Sequence, residues 1–419
     1  MISYLEALSL IEDRQLNIES ETLSIQRALN RLCDEEIRAP FSMPRFNNSA
    51  MDGFALKYQQ TKDCNVNSPK SFQVIKSIAA GDKVENDFLH NGFLVAEIMT
   101  GAQIPSEYNC VIPVEEIKLI SNNEEHKYII EINRELKNSE NVRYKGEDVE
   151  EGNIIISKNE LITHEKIMLL TSFGIDSISV KKRIKVAILS TGKELVDDIS
   201  GKLNDQQIFN SNTPYLNSIL NDFPVETKIF NSVPDNNKLF LNTINEIKNQ
   251  GFHLIISTGA VSKGKWDIIP ECLKELGADI IFHKVKIKPG KPILFAQLNS
   301  SIFYFGLPGN PISTAVGFRF FISPFIRSIL GLKKESMKTL KLLTSGSKKL
   351  GMTFFLKGKI LIDDNSTLRG EILSGQESFK MKSLTESNGW IILPENMEKY
   401  NENDFAYFSP LEVNSKLFI

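Results

Sequence analysis

Ile184-Lys-Val-Ala-Ile-Leu-Ser190, followed by Thr191-Gly192, decides the fold class of this chain of 419 residues. The stretch is a nearly continuous apolar run that ends in small residues, as expected of a strand covered by helices on both faces. Phe252-His-Leu-Ile-Ile-Ser257 and Ser301-Ile-Phe-Tyr-Phe305 have the same texture. Helical segments alternate with these runs, beginning near Thr213, Asn237, Ile268 and Pro311. Residues 182–331 are therefore predicted to form a doubly wound α/β domain.

The loops that follow these strands carry the candidate substrate-binding residues. In open α/β sheets, ligands bind beyond the carboxyl ends of the strands. Small residues there let backbone N–H groups approach an anion, and Asn310 with Pro311 is a favourable helix start whose positive end would face the same edge. A tight structural turn is the alternative for each loop taken alone. The candidates are Ser190, Thr191, Gly192, Ser257, Thr258, Gly259, Ser262, Pro308, Gly309, Asn310 and Pro311.

Charged residues near these loops favour an anionic ligand. Lys286-Ile-Lys-Pro-Gly-Lys291 places three ammonium groups within six residues. Such a run is usually a solvated face, but its prolines make it rigid, and we predict it at the edge of the same crevice. The acidic residues Glu194, Asp235 and Asp267 are candidate ligands for Mg²⁺, which prefers oxygen atoms and is often shared with substrate phosphates. Together these residues predict a site for a phosphate-rich small molecule.

The segments that flank the α/β domain follow other patterns. Leu5, Leu8 and Ile11 recur at helical spacing, a second apolar run near residues 23–32 is also read as helix, and an amphipathic helix is predicted from about Thr163 to Phe173. Between them, residues 41–145 contain short apolar runs separated by turn residues, which predicts an inserted β domain. Those runs are Phe72–Ile75, Phe93–Met99, Val111–Val114 and Tyr128–Ile132. After residue 331, alternation as in Met352–Ile362 predicts a small C-terminal β domain.

Composition limits the class of protein. The length exceeds one ordinary hydrophobic core and predicts roughly three domains. A hydrophobic share of 41% with 24% charged residues is typical of a soluble globular chain. The net charge of −3 provides no basic field for nucleic acid. The N-terminus lacks a signal pattern, and the most apolar stretch, residues 315–329, is interrupted by Arg319, Pro324 and Arg327, so we expect a cytoplasmic protein with no membrane partner.

Cysteine and histidine do not form a recognisable site in the sequence. The four cysteines and five histidines are scattered, without zinc-ligand spacing. A Ser/His/Asp triad has no local support either. Acid–base and metal chemistry is therefore expected from carboxylates and lysines.

Six motifs in order resemble those of the MoeA/gephyrin E-domain family, the molybdopterin molybdenumtransferases. These motifs are Asn48-Ser-Ala-Met-Asp-Gly53, Ile98-Met-Thr-Gly-Ala102, Gly146-Glu-Asp148, Ser190-Thr-Gly192 with Glu194, Lys288-Pro-Gly-Lys-Pro292 and Gly306-Leu-Pro-Gly-Asn-Pro311. Any one could occur by chance, but all six in order are specific. The resemblance spans nearly the whole chain.

The resemblance implies a four-part α/β multidomain subunit. Residues 1–40 plus 146–181 would form a helical linking domain, 41–145 the inserted β domain, 182–331 an α/β domain related to molybdopterin adenylyltransferases, and 332–419 a C-terminal β barrel. Family members form homodimers in which the insertion of one subunit approaches the α/β crevice of the other. Asp52 and Thr100 would thereby complete a site in the partner chain.

The implied reaction inserts molybdenum from molybdate into adenylylated molybdopterin and releases AMP, with Mg²⁺ present. On this interpretation Lys288 and Lys291 neutralise phosphate or molybdate, while Glu194, Asp235 and Asp267 hold the metal and position water. Asp52 and Thr100 complete the catalytic set.

Two departures from the family pattern and two other functions stay open. Ala260 stands where many relatives have glycine, and Asn236 where they often have aspartate. The alternative functions are a non-catalytic, gephyrin-like scaffold dimer and a molybdopterin adenylyltransferase, which is also a possible partner enzyme. The inserted segment and the barrel argue against the adenylyltransferase, and the absence of a long linker or second enzymatic domain argues against the scaffold.

Overall fold

The computed structural model describes residues 1–84, 92–123, 127–261 and 268–411. The chain divides into two compact units. One contains Met1–Glu35, Lys158–Ile167 and Asp176–Ile419, and the other contains Glu36–Ser157 and Met168–Ile175.

The secondary structure follows the chain in three groups. The N-terminal and inserted segments contain α1 (Tyr4–Glu12), β1 (Ser20–Ser24), β2 (Ile37–Arg38), β3 (Asn48–Ser49), β4 (Gly53–Leu56), β5 (Lys70–Ile78), β6 (Leu94–Ile98), β7 (Cys110–Pro113), β8 (Lys118–Asn123), β9 (Lys127–Ile132), β10 (Val142–Arg143), β11 (Ile154–Ile156) and α2 (His164–Ser172). The central segment contains β12 (Ser177–Lys181), β13 (Ile184–Ser190), β14 (Leu195–Val196), β15 (Ile208–Phe209), α3 (Asn212–Leu220), β16 (Val225–Ile229), α4 (Asn237–Asn249), β17 (Leu254–Thr258), α5 (Ile269–Glu275), β18 (Asp279–His283), β19 (Ile287–Lys288), β20 (Leu294–Asn299), β21 (Ile302–Leu307), α6 (Pro311–Gly317) and α7 (Ser323–Leu330). The C-terminal segment contains β22 (Lys338–Leu342), β23 (Gly346–Ser347), β24 (Thr353–Ile362), β25 (Leu368–Ile372), α8 (Lys382–Thr385), β26 (Gly389–Leu393), β27 (Lys399–Tyr400) and β28 (Phe405–Pro410).

The N-terminal segment is only partly helical. Helix α1 begins with a capping box, because the Ser3 hydroxyl accepts from the Glu6 N–H and the Glu6 carboxylate accepts from the Ser3 N–H. The predicted second helix near residues 23–32 is wrong, since β1 occupies its start and pairs antiparallel with β12. The alternating polar residues of β1 suit a strand with one buried face better than a helix. Within the described parts of 1–40 and 146–181, the α-helices are α1 and α2, so a predominantly helical linking domain is not what forms.

The inserted segment is a β domain, as its sequence predicts. Its main sheet has the strand order β7-β4-β6-β5-β9-β8, with β5 and β6 parallel. The four apolar runs predicted as strands are β5, β6, β7 and β9. Turn residues separate these strands because the chain must reverse between antiparallel neighbours.

The central segment is a doubly wound α/β domain with the strand order β16-β13-β17-β21-β20-β18. Strands β16, β13, β17 and β21 are parallel, and β20 runs antiparallel between β21 and β18. Alternate residues of β13 enter two cores, Ile188 with α3 and α6, and Leu189 with α4 and α5. Burial on both faces explains the continuous apolar runs. The carboxyl ends of three parallel strands therefore meet at one edge.

The C-terminal segment closes into a β barrel. Its strands run β24-β25-β22-β28-β26, and β26 pairs again with β24 to complete the ring. The short strand β19 joins β24 in parallel at the pair Lys288 and Phe354. The α/β multidomain fold with a barrel is confirmed, whereas the four domain boundaries stay predictions. Among the described residues, no helix is both long and apolar enough to cross a membrane.

Candidate functional site

A cleft of about 660 Å³ opens beyond the carboxyl ends of β13, β17 and β21, and we call it the strand-tip cleft. This is the edge at which ligands bind in open α/β sheets. Nine of the predicted site residues line it: Thr191, Gly192, Glu194, Asp235, Thr258, Gly259, Gly309, Asn310 and Pro311. The structure thus brings together residues from four separate loops.

The floor of the strand-tip cleft depends on close backbone contact between two strand tips. The Thr191 N–H donates to the Thr258 carbonyl at 2.8 Å, which holds the tips of β13 and β17 together. Gly259 follows with φ of +95°, and a Cβ there would lie 2.3 Å from the Thr191 carbonyl oxygen. Only glycine therefore fits this position. Ala260, the departure noted in the sequence, itself has a positive φ of 44°.

Three of the predicted residues lie behind the cleft instead of lining it. The buried Ser190 hydroxyl is 2.7 Å from the Thr258 hydroxyl, and the buried Ser257 hydroxyl is hydrogen-bonded to Tyr304 in the core beside α4 and α5. Side chains alternate between the faces of a strand, so Thr258 reaches the cleft and Ser257 does not. The Pro308 carbonyl accepts from the Thr314 hydroxyl at 2.8 Å. These residues support the site structurally. Ser262 and Asp267 lie outside the described residues.

The start of α6 differs from the prediction in one respect. Asn310 occupies the N-cap position and Pro311 the first helical position, but the Asn310 side chain makes no capping hydrogen bond among the described residues. The Ile312 N–H, which such a side chain would accept from, instead donates to the Ser378 carbonyl at 3.1 Å. Asn310 is exposed and lines the strand-tip cleft.

Two asparagines that sequence analysis missed position the cleft wall. Asn212 Nδ2 donates to the Gly309 carbonyl at 2.7 Å, which fixes the loop before α6. Asn210 Nδ2 donates to Asp197 at 2.8 Å. Burial alone would raise the pKa of Asp197, but hydrogen bonds from Ser232 and Asn210 outweigh it and the pKa is lowered. The polar sequence 210–212 at the start of α3 is the pattern from which these two residues could have been predicted.

Glu194 and Asp235 are the described carboxylates of the predicted metal set, and both line the strand-tip cleft. Mg²⁺ is usually held by one or two carboxylates together with substrate phosphates and water. Two carboxylates facing a cleft of this kind fit that chemistry. Among the described residues, no group of three or more acidic, histidine or cysteine side chains forms a complete metal cage.

Lys288 and Lys291 line a second cleft of about 600 Å³, which we call the lysine cleft. The prediction placed them at the edge of the first crevice, but the pairing of β19 with β24 carries them to the barrel side. The Lys288 ammonium lies 5.3 Å from the Phe354 ring centroid. Within the described ranges, neither ammonium forms an ion pair with a carboxylate. The lining also contains Glu377, whose carboxylate pairs with Lys380 at 2.9 Å, so the two lysines leave the lysine cleft with a positive charge.

One loop of the barrel separates the two clefts. Residues 374–378 line the lysine cleft, whereas Phe379 and Met381 line the strand-tip cleft. The loop is anchored by the fully buried Lys357, whose ammonium donates to the carbonyls of Gly375 at 2.6 Å and Lys380 at 3.0 Å. Burial lowers the pKa of Lys357. The barrel thus supplies a wall to each cleft.

The second unit contains a separate, exposed polar pair. Asp52 Oδ1 accepts from the Thr100 N–H at 2.6 Å and from the Thr100 hydroxyl at 2.8 Å. The Thr100 backbone hydrogen bond lowers the pKa of Asp52, and the hydroxyl adds to this effect. Gly53 allows the close approach of β4 to β7, because a Cβ there would lie 2.0 Å from the Ile112 carbonyl oxygen. Two of the six motifs are therefore joined in one exposed site.

Comparisons with known proteins agree along the chain. Residues 2–174 match the model of the MoeA N-terminal region (domain I and II), and residues 187–328 match that of a probable molybdopterin binding domain. The chain is 32% identical over 425 residues to the molybdopterin molybdenumtransferase of Synechococcus elongatus, with 99% of this chain and 100% of that protein covered. Identity to the enzyme of the same name from Haemophilus influenzae is 30% over 407 residues, with 96% of each covered. A crystal structure of the molybdopterin biosynthesis MoeA protein from Pyrococcus horikoshii shares the fold, with a TM-score of 0.82 at 24% identity over 98% of this chain and 100% of that one.

Proposed function

The chain belongs to the MoeA family of molybdopterin molybdenumtransferases, and we propose that it inserts molybdenum from molybdate into adenylylated molybdopterin and releases AMP. Transfer of molybdenum to molybdopterin is the activity named for its relatives. The observation that carries the finer proposal is the pair of clefts, which differ in chemistry and share one wall.

The strand-tip cleft suits the phosphate-bearing substrate. Its glycine-rich strand tips allow close approach of backbone N–H groups, and the start of α6 adds a positive helix end. Asn212 fixes the Gly309 carbonyl by a hydrogen bond, and Thr258 lines the cleft. We therefore assign the pyrophosphate of adenylylated molybdopterin to this cleft.

The lysine cleft suits molybdate. Two unit charges about 4 Å apart repel by about 4 kcal/mol at an effective dielectric near 20, so cations are needed to bring two anionic substrates together. Lys288 and Lys291 supply that positive charge without carboxylate partners among the residues described. Adjacent clefts would keep molybdate close to the dithiol of the pterin.

The reaction balances without a covalent protein intermediate. Two molybdenum–sulfur bonds form, and one oxo group of molybdate leaves as water with the two thiol protons. A water molecule attacks the phosphoanhydride phosphorus, and AMP leaves. Mg²⁺ would neutralise phosphate oxygens, and Glu194 and Asp235 together with Asp267 would hold it.

The proposal includes a homodimer. Asp52 and Thr100 form an exposed pair, and the Asp52 carboxylate, whose pKa is lowered by the Thr100 hydrogen bonds, is ionised at neutral pH. In the proposal this pair completes the strand-tip cleft of a second copy. A molybdopterin adenylyltransferase would supply the adenylylated substrate.

The test is AMP release from adenylylated molybdopterin in the presence of Mg²⁺ and molybdate. We expect AMP formation to depend on molybdate, and Lys291→Ala to raise the molybdate concentration needed for half-maximal release at least tenfold. Lys274→Ala, an exposed lysine on α5, is the matched control and should be unchanged. AMP release that ignores molybdate, or equal effects of the two substitutions, would contradict the proposal.

A second experiment tests the dimer. Asp52→Ala and Glu194→Ala are each expected to be poorly active, and mixing them with subunit exchange should restore part of the activity. If activity is not restored although subunit exchange is demonstrated, the proposal that the inserted domain of one subunit completes the strand-tip cleft of the other is wrong.

A further inference from the structure

A small pocket of about 120 Å³ lies between α1, α7 and the barrel, and it shares no lining residue with either cleft. Its walls include Leu8 of α1, Ser323 and Arg327 of α7, Arg319 of the preceding helical turn, and Glu335 of the segment that leads into the barrel. At about 30 Å³ per water molecule, the volume corresponds to roughly four waters. This arginine pocket is large enough for one tetrahedral oxyanion with residual water.

Two polar atoms at the arginine pocket have no hydrogen-bond partner among the residues that the structure describes. Ser323 is fully buried, and its hydroxyl makes no hydrogen bond within the described ranges. Glu335 Oε1 is also buried without a hydrogen bond there, and Arg327 Nη1 lies 3.8 Å from it. Buried polar groups in native proteins almost always have a partner, so such atoms indicate a water, an ion or a ligand.

The charge of the pocket favours an anion. Arg319 and Arg327 are each only 4% exposed. Arg319 Nη2 contacts Glu335 Oε2 at 2.5 Å, and the exposed Lys334 pairs with Glu12 at 2.6 Å. Arg319 Nε also donates to the Pro410 carbonyl at 3.1 Å, and Arg327 Nε and Nη2 donate to the Lys333 carbonyl at 3.1 and 2.6 Å. Both buried guanidinium groups contact the single carboxylate of Glu335. Two buried cations on one buried carboxylate give the pocket a net positive charge, which a bound monoanion would balance.

We propose that the arginine pocket binds inorganic phosphate in a protonated form. The phosphate oxygens accept from the two guanidinium groups and from the Ser323 hydroxyl, and the phosphate P–OH donates to Glu335 Oε1. Sulfate and molybdate carry no proton at neutral pH, so their oxygens would face the Glu335 carboxylate with no donor between them. The pocket thus distinguishes phosphate from both ions, and its occupant differs from the molybdate substrate.

Calorimetric titration of the full-length protein with potassium phosphate and with potassium sulfate, at equal ionic strength, tests this selectivity. The two clefts can bind either anion, so the phosphate-specific site appears as binding that sulfate neither shows nor displaces. Ser323→Ala should weaken this site about tenfold. The chain should still fold, because that hydroxyl makes no hydrogen bond among the described residues and alanine favours helix. Ser218→Ala, an exposed serine on α3, is the matched control and should leave phosphate binding unchanged.

Glu335→Gln tests the role of the carboxylate directly. The amide supplies a donor as well as an acceptor, so sulfate should then bind at the same site and the preference for phosphate should disappear. Equal binding of phosphate and sulfate by the unaltered protein would overturn the proposal. So would a phosphate preference that survives both Ser323→Ala and Glu335→Gln, because the two atoms would then hold ordered water only.

Discussion

Replacing Lys357 with methionine tests whether the barrel shapes the clefts. Lys357 is fully buried on β24, and its ammonium donates to three carbonyls of the loop 373–381, those of Gly375 at 2.6 Å, Lys380 at 3.0 Å and Glu377 at 3.4 Å. Methionine has a similar volume but no donor, so the substitution removes these hydrogen bonds without leaving a large cavity. The dividing wall between the clefts should then open more often.

The size of the effect follows from the two shorter of these hydrogen bonds. Bonds to charged groups contribute about 1.5–3 kcal/mol each, and part of that is offset because the ammonium no longer has to be buried. A net loss of about 3 kcal/mol raises the open population of the loop roughly a hundredfold, at 1.4 kcal/mol per factor of ten. Amide hydrogen exchange at Leu373 and Lys380, whose N–H groups are hydrogen-bonded in this loop, should accelerate by a similar factor. Exchange in β13 and β17 should not change.

Lys359→Met is the matched control, because Lys359 is exposed on the same strand. It should leave loop exchange at the rate of the unaltered protein. If Lys357→Met produces no faster exchange in peptides covering 373–381, or if Lys359→Met accelerates it equally, the reasoning that the buried ammonium holds the wall is refuted.

Three further substitutions test separate features. Gly259→Ala should lower the free energy of unfolding, measured by urea titration, by about 2–4 kcal/mol, because the residue has a positive φ and its new Cβ would lie 2.3 Å from a carbonyl oxygen. Gly277→Ala is the control and should lower it by only about 1–2 kcal/mol, because Gly277 has a positive φ but no atom within 4 Å of the added Cβ. The pKa of Asp52 is lowered in the folded protein, so its ionised carboxylate stabilises the fold above the unfolded pKa near 3.9, and this stabilisation is lost as the pH falls through the folded pKa. The difference in free energy of unfolding between the unaltered protein and Asp52→Asn should therefore be constant from pH 8 to 5 and shrink below about pH 4. Asn212→Ala removes the donor that fixes the Gly309 carbonyl, so the KM for adenylylated molybdopterin should rise several-fold while stability falls by only about 1 kcal/mol.

The sequence predicts best the elements whose burial is simplest. Strands β13, β17 and β21 are buried along their length, so a continuous apolar run was a sufficient signal. The inserted strands were recognisable because turn residues interrupt them. The run at residues 23–32 was misassigned because its apolar spacing suits both a helix and a half-buried strand, and only the pairing of β1 with β12 decides between them.

The candidate site was predictable in composition but not in arrangement. Thr191, Gly259 and Asn310 were found because the ends of neighbouring parallel strands meet at one edge. Whether Ser257 or Thr258 reaches the cleft depends on a register of one residue, which the loop sequence does not contain. Asn212 contacts a residue about 100 positions away in the chain, and Lys357 contacts one about 20 positions away, so no local sequence pattern predicts their roles.

The position of Lys288 and Lys291 suggests a role for the barrel in the proposed reaction, because the barrel forms one wall of the cleft that these lysines line. The α/β domain alone has strand tips suited to phosphate, but its basic run is carried by β19 to the edge of β24, where Phe354 and the loop 374–378 form the opposite wall. Both side chains are exposed, so solvent still screens their attraction for an oxyanion, and the barrel removes water from one side of them only. The barrel therefore supplies the second wall of the lysine cleft, and its loop keeps that cleft beside the strand-tip cleft. In the proposed reaction the doubly wound domain binds the pterin phosphate, whereas holding the second anion beside it requires both segments.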